Sequence, residues 1–299
     1  MSKKMWLCLV IGLAFVVSIA GFKATAQNVL TGDWTASLAK EDADNGKINF
    51  SFERRSEKGG KHQMGQTYDF ADLQGLTRQQ VLSGGQVKFS LVREAGRIDC
   101  EGSFQNGKGS GTFRFAGNQS FVSDMKSRGF DFEKDSTSDE SEDRLFAATT
   151  LNVTTALADD LASAGFGKLG VEDLFKAAIF KIDSRFMREM KATGFANLGM
   201  EDLVKARIFK IDPAFVTQVS QMGFDKEPFE TLVKMRIFKI TPEYIAEVRN
   251  EGFTDISVED MVKMRIFKID SDFIRQAKAD GVPLEVERLV QRRIGVGRK

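Results

Sequence analysis

The octet VKMRIFKI spans residues 233–240 and recurs letter for letter at 262–269. Its core, IFKI, begins at residues 179, 208, 237 and 266, always 29 residues apart. The glycines Gly165, Gly194, Gly223, Gly252 and Gly281 keep the same interval, and all but the last precede Phe. A fixed period of this length is the signature of stacked supersecondary units, none of which can bury its apolar face alone. The period decides the fold of the second half: a short α-solenoid of helical hairpins over residues 119–299.

Each unit reads as two helices. The first opens at Asp212-Pro213 or Thr241-Pro242, an N-cap followed by Pro at the first helical position. It carries Phe215, Val219 and Met222 on one face and stops at Gly223-Phe224, where Gly takes the left-handed cap. The second opens at Ser257-Val258-Glu259-Asp260, a capping-box start with acids in the first turn. Gly stands in place of Ser at 170 and 199, and Pro at 228. Val204, Ile208 and Ile211 are expected to form its buried stripe, with Phe180, Phe209, Phe238 and Phe267 as recurring structural positions. Gly129-Phe130 marks an earlier copy, 36 residues before Gly165. Its extra seven residues lie in EKDSTSDESED at 133–143, which reads as an acidic flexible loop; it lacks the central Gly and terminal Glu of a calcium-binding EF-hand. TLNV and RRIGVGRK are decayed terminal copies, as capping units require.

The basic residues also recur in register. Lys176, Lys205, Lys234 and Lys263 each follow a Glu by four residues, an order that favours a helix. Arg207, Arg236 and Arg265, with Lys210, Lys239 and Lys268, fall at the helix end, where cations suit the dipole. Local helix physics explains most of this pattern. The competing reading is a ladder of these six residues facing an anionic partner.

Within a β-domain of residues 27–118, residues 30–116 alternate with the period of two that marks strands. Ile48, Phe50 and Phe52 do so, as do Val87, Phe89 and Leu91, then Ile98, Cys100, Gly102 and Phe104, then Gly111, Phe113 and Phe115. Gly84-Gly85, Ala95-Gly96 and Asn106-Gly107 read as hairpin turns. The expectation is an antiparallel sandwich or barrel with Trp34 plugging one end, and hence an α+β chain in two parts. NGKGSG at 106–111 is not a phosphate loop, because a strand follows it rather than a helix. The interior either holds a small apolar ligand or is filled by its own Phe side chains; the short segment favours filling.

The first 26 residues have the form of a secretory signal: Lys3 and Lys4, an apolar run from Trp6 to Phe22, then Ala24-Thr25-Ala26. An uncleaved anchor is the other reading, and the only membrane contact expected. Removing the signal takes Lys3, Lys4 and Lys23 from 43 basic residues, leaving 40 against 42 acids. That balance gives no electrostatic case for nucleic acid. It also leaves Cys100 as the one cysteine, a small core residue with no intramolecular partner. The single histidine, His62, reads as part of a Gly/Lys-rich turn, and neither a zinc motif nor a recognisable catalytic set accompanies it. No catalytic residue, metal or cofactor is expected.

The stretch VKFSLVREAGRIDCEGSFQNGKGSGTFRFAGNQSFVSDMKSRGF, followed by copies of GF…EDLVKxRIFKI, resembles the C-terminal extension of some bacterial membrane metallopeptidases of the beta-lactam-sensor type. The peptidase helices and zinc motif are absent, so no catalytic residue carries over. The resemblance implies a free-standing extracytoplasmic accessory module. The expected function is a periplasmic or extracellular, non-catalytic scaffold that binds another envelope protein. The alternatives are a carrier of a small apolar ligand in the β-domain and a regulator of a membrane protease or signalling partner.

Overall fold

A computed structural model describes residues 30–38, 46–55, 61–195, 197–225 and 227–296. The signal segment lies outside these residues. The chain is α+β: one antiparallel sheet, then a run of helices. Seven strands form the sheet: β1 (Leu30–Ser37), β2 (Lys47–Arg55), β3 (Lys61–Asp69), β4 (Leu73–Gln74), β5 (Gly85–Arg93), β6 (Gly96–Gln105) and β7 (Lys108–Gly117). Their spatial order is β3-β2-β1-β7-β6-β5-β4, so the first strand joins two meanders through its pairing with β7. The sheet curls into a half-barrel rather than closing on itself or facing a second sheet.

The alternating residues point inward as their period requires. Ile48, Phe50, Phe52, Val87, Phe89, Leu91, Ile98, Phe104, Phe113 and Phe115 are all buried. Trp34 lies among the rings of Phe50, Phe89 and Phe104 at 5.4–5.6 Å and donates its indole N–H to the Glu101 carbonyl at 3.2 Å. Cys100 is buried here as expected, and burial pushes its thiol pKa up, away from thiolate chemistry. Asn106 and Gly107 take positive φ, as a tight hairpin turn demands. Gly84-Gly85 differs: Gly84 ends a helix, α1 (Arg78–Ser83), instead of turning a hairpin. That helix begins at a Thr77/Gln80 capping box, a signal present in the sequence. His62 stands exposed on strand β3 rather than in a turn.

The helices form six hairpins among the described residues. Unit 1 is α2 (Gln119–Ser127) with α3 (Ser138–Leu151); unit 2 is α4 (Thr155–Ser163) with α5 (Val171–Phe180). Unit 3 is α6 (Ser184–Ala192) with α7 (Met200–Ile208); unit 4 is α8 (Pro213–Gln221) with α9 (Phe229–Ile237). Unit 5 is α10 (Pro242–Asn250) with α11 (Val258–Ile266); unit 6 is α12 (Ser271–Ala279) with α13 (Val286–Ile294). First helices pack on first helices (α2 on α4, α4 on α6), and second on second (α3 on α5, α5 on α7, α9 on α11, α11 on α13). The result is a two-row solenoid.

The acidic segment 133–143 is not a loop throughout. From Ser138 it is the first turns of α3, with Thr137 as N-cap and its N–H donating to the Glu140 carboxylate at 2.8 Å. Acids at a helix start are favoured by the dipole, which is why this charge run folds.

Helix α3 also closes the half-barrel. Its Phe146 stacks on Phe113 at 5.2 Å and meets Phe52 and Phe115 edge-on. Tyr68 donates its hydroxyl to the Thr150 carbonyl at 3.2 Å, and Arg54 pairs with Asp143. Leu145 presses so closely on Gly117 that a Cβ there would meet it at 2.8 Å. The boundary drawn at residue 118 therefore cuts a shared core: the sheet lacks its lid without the first helical unit. Phe146→Ala is expected to lower unfolding free energy by about 3–5 kcal/mol, as for other buried Phe truncations. Urea unfolding followed by Trp34 fluorescence measures it, and a loss below about 1 kcal/mol would mean the sheet core closes without this ring.

Candidate functional site

The recurring basic residues are the candidate site, so their surroundings matter most. In the second helices, buried Leu203, Val204 and Ala206, with Met200, face the stack; Leu232, Val233 and Met235 repeat this, as do Met261, Val262 and Met264. The helix then ends in a Schellman motif. Ile211 N–H reaches the Ala206 carbonyl at 2.8 Å, Ile240 reaches Met235 and Ile269 reaches Met264 at the same distance. The residue in the left-handed position is Lys: Lys181, Lys210, Lys239 and Lys268 all have φ of 53–55°. First helices place Gly129, Gly165, Gly194, Gly223, Gly252 and Gly281 in the same left-handed position, at φ of 66–102°, and Phe130, Phe224, Phe253 and Val282 close the motif with their N–H groups. A non-glycine residue there costs on the order of 1 kcal/mol, so one unit uses both the cheap and the costly version of one cap.

The arginines do line up, and each is held by the unit before it. Arg207 stacks its guanidinium on Phe186 at 3.7 Å and donates to the Lys181 carbonyl at 2.7 Å. Arg236 does the same to Phe215 at 3.6 Å and Lys210 at 2.7 Å. Arg265 lies over Tyr244 at 3.5 Å and reaches Lys239 at 3.1 Å. Arg293 continues the series over Phe273 at 4.3 Å, bonding the Phe267 and Lys268 carbonyls. The carbonyl each one meets belongs to the left-handed lysine, a helix end whose orphan acceptors carry partial negative charge. This column is a staple between units: each arginine spends its ring face and one Nη2 donor on the preceding unit while the residue itself stays exposed.

The first lysine column is also internal to the stack. The pairing is not with the Glu four residues back. Lys176 reaches Glu201, Lys205 reaches Glu230, and Lys234 reaches Glu259 at 2.5 Å, each in the following unit. Lys263 turns to Asp260 at 3.3 Å instead. Parallel neighbouring helices put the next unit's Glu beside this Lys, and a bridge across the interface replaces one along the helix.

The first Ile of IFKI departs from the expected stripe. Ile179, Ile208, Ile237 and Ile266 are 49–54% exposed, and Ile294 repeats them at 55%. At about 100° per residue, Ile208 lies nearly above Glu201, seven residues back on the solvent side. The second Ile is buried in units 2 to 5: Ile182, Ile211, Ile240 and Ile269. The Phe between them, Phe180, Phe209, Phe238 or Phe267, is partly buried against the core. Lys181, Lys210, Lys239 and Lys268 are exposed and form no ion pair among the described residues. Of the sequence-predicted ladder, the structure thus assigns the arginines to stacking and leaves the second lysine column outward. The exposed Ile column is the feature sequence reading missed.

Elsewhere, a polar recess on the outer sheet face is lined by Lys88, Ser90, Arg97, Asp99 and Glu101, among others. Its groups satisfy one another: Ser90 donates to Asp99 at 2.6 Å, Arg97 to both, and Lys88 pairs with Glu101 at 2.8 Å. Among the described residues no cluster of three or more His, Cys, Asp or Glu is placed to hold a metal. A second recess, of about 280 Å³, lies where Gln119, Phe132, Ser136 and Ser141 meet Glu142. One Glu142 oxygen is buried there without a hydrogen-bond partner, and burial pushes this carboxyl up, opposed by nearby Arg54. Compared with known proteins, the chain matches no family model and no curated protein.

Two outcomes follow for purified full-length protein. Arg236→Ala is expected to cost about 1–2 kcal/mol, against about 0–1 for Lys234→Ala, because the first loses a ring contact and a carbonyl bond while the second loses an exposed ion pair. Equal losses in chemical denaturation would remove the stapling role. Glu142 favours its protonated form when folded, so its contribution is full below the unfolded pKa near 4.3 and falls as pH rises through the higher folded value. Glu142→Gln is therefore expected to gain on the parent between pH 4 and pH 7. A gap that shrinks across that range would reverse the assignment.

Proposed function

We infer that this chain is an exported, non-catalytic interaction module of the bacterial envelope. The half-barrel anchors the array, and the array offers a long edge to another protein. One observation supports the reading: two of the three recurring cation columns bridge one unit to the next, while the third is exposed with no ion pair among the described residues and lies two residues from a row of exposed isoleucines. Interactions that only hold a shape, repeated over several units, suit a protein whose product is a surface. The carrier reading finds less support, because Trp34, Phe50, Phe52, Phe89 and Phe104, with Phe146 from α3, occupy the half-barrel interior.

Affinity purification of the full chain from native envelope, with crosslinking, tests this. The expected result is one protein that then co-elutes with the purified chain at fixed stoichiometry in size-exclusion chromatography. A chain that elutes alone and releases a small apolar molecule on extraction would replace the interaction reading with the carrier.

A further inference from the structure

We propose that the edge formed by the exposed isoleucines and the left-handed lysines is a docking track for an extended polypeptide segment, one carrying an acidic side chain every third residue with an apolar one at a second fixed place in each triplet. The proposal rests on the interaction reading above and names the chemistry of its partner.

The apolar part of the track is Ile179, Ile208, Ile237 and Ile266, each about half exposed where the other large apolar side chains of these helices are buried or partly buried. Its polar part is Lys181, Lys210, Lys239 and Lys268, two residues further on at the same helix ends. These lysines keep their charge free of ion pairs among the described residues. The nearby N-cap acids are used otherwise: Asp183, Asp212 and Asp270 accept from the Phe186, Phe215 and Phe273 N–H groups at 2.8 Å. An anionic side chain is the complement this column lacks.

The caps supply the second argument. Glycine fills the left-handed position at every first-helix end, and Asn152 fills it at the end of α3. Lysine holds it in the four central units although glycine would sit there without strain. Backbone economy does not select lysine, and the staple needs only its carbonyl. The side chain is what remains to be used.

The spacing supplies the third argument. Packed helices stand roughly 8–10 Å apart, and a chain extended as polyproline II advances about 3.1 Å per residue and brings every third side chain back to the same side. Three residues of an extended segment thus match one unit of the stack. Four units span about nine to ten such residues. A ligand with a period needs a site with the same period, which accounts for letter-for-letter copying at 233–240 and 262–269. A lipid surface would need the lysines and the isoleucines but not their regular interval.

The test uses the full chain and a labelled synthetic dodecapeptide made of four Asp-Leu-Ser triplets, with a scrambled peptide of equal composition beside it. Fluorescence anisotropy is expected to show the periodic peptide binding at least tenfold more tightly than the scrambled one. The triple variant Lys210→Gly, Lys239→Gly and Lys268→Gly is expected to lose at least tenfold in binding while its Tm stays level or rises. Ile208→Ser, Ile237→Ser and Ile266→Ser together are expected to lose a similar factor with the fold intact by circular dichroism. Equal binding of the two peptides, or undiminished binding by the lysine variant, overturns the track. So does lysine-dependent binding to phosphatidylglycerol vesicles without peptide binding, which would assign the edge to a membrane surface. If a stoichiometric envelope partner is recovered equally with the lysine variant, the track falls and the interaction reading stands. If the periodic peptide binds but no partner is recovered with either protein, the track stands and the envelope reading falls.

Discussion

Contacts between second helices run at two offsets, 25 residues forward for Lys to Glu and 26 back for Arg to carbonyl. Both come from one constraint. Copies of a helix laid side by side at a 29-residue period bring each position against its neighbour's equivalent, shifted by a turn or less. A hairpin with apolar residues on its inner face has no stable state by itself, so stacking is imposed by burial and then refined by these polar bridges. The exposed bridges are individually weak. Their value lies in register: a slip of one turn would part every Lys from its Glu and every guanidinium from its ring.

The β half is bound by the same need for cover. A curled sheet with an aromatic inner face and no second sheet must borrow a lid, and α3 provides it with Phe146. The unit that supplies the lid is also the one that departs from the 29-residue period. Its seven additional residues begin near Phe132 and run into the first turns of α3, which extends to Leu151 and is longer than the later second helices. The extra length fits a helix that must serve two neighbours, the sheet on one side and α5 on the other.

Much of this was legible. The period announced the solenoid, Gly-Phe pairs marked the first-helix ends, and alternation in β2, β5, β6 and β7 marked an antiparallel sheet. Strand β3, KHQMGQTYD, was hidden because it lies at a sheet edge and buries little beyond Tyr68. The Lys–Glu pairing was misplaced because a Glu four residues back and a Glu in the next unit satisfy one sequence pattern; only the stack distinguishes them. Ile208 was assigned to the core because it sits four residues after Val204, but seven residues after Glu201 it lies nearer the line of that solvent-facing side chain. The acidic run 133–143 looked disordered by composition, yet half of it is capped helix start, where position rather than content decides the sign of the effect.

The arginine staple has a direction. Each guanidinium takes its carbonyl and its ring from the unit that precedes it in the chain, never from the one that follows. For a polypeptide emerging from its N-terminus, the acceptor and the aromatic platform are already in place when each new arginine arrives. The sheet and α3 supply the first finished surface, and every later hairpin can lock as soon as its second helix is complete. The array is thus built like a ratchet, able to hold each added unit before the rest of the chain exists.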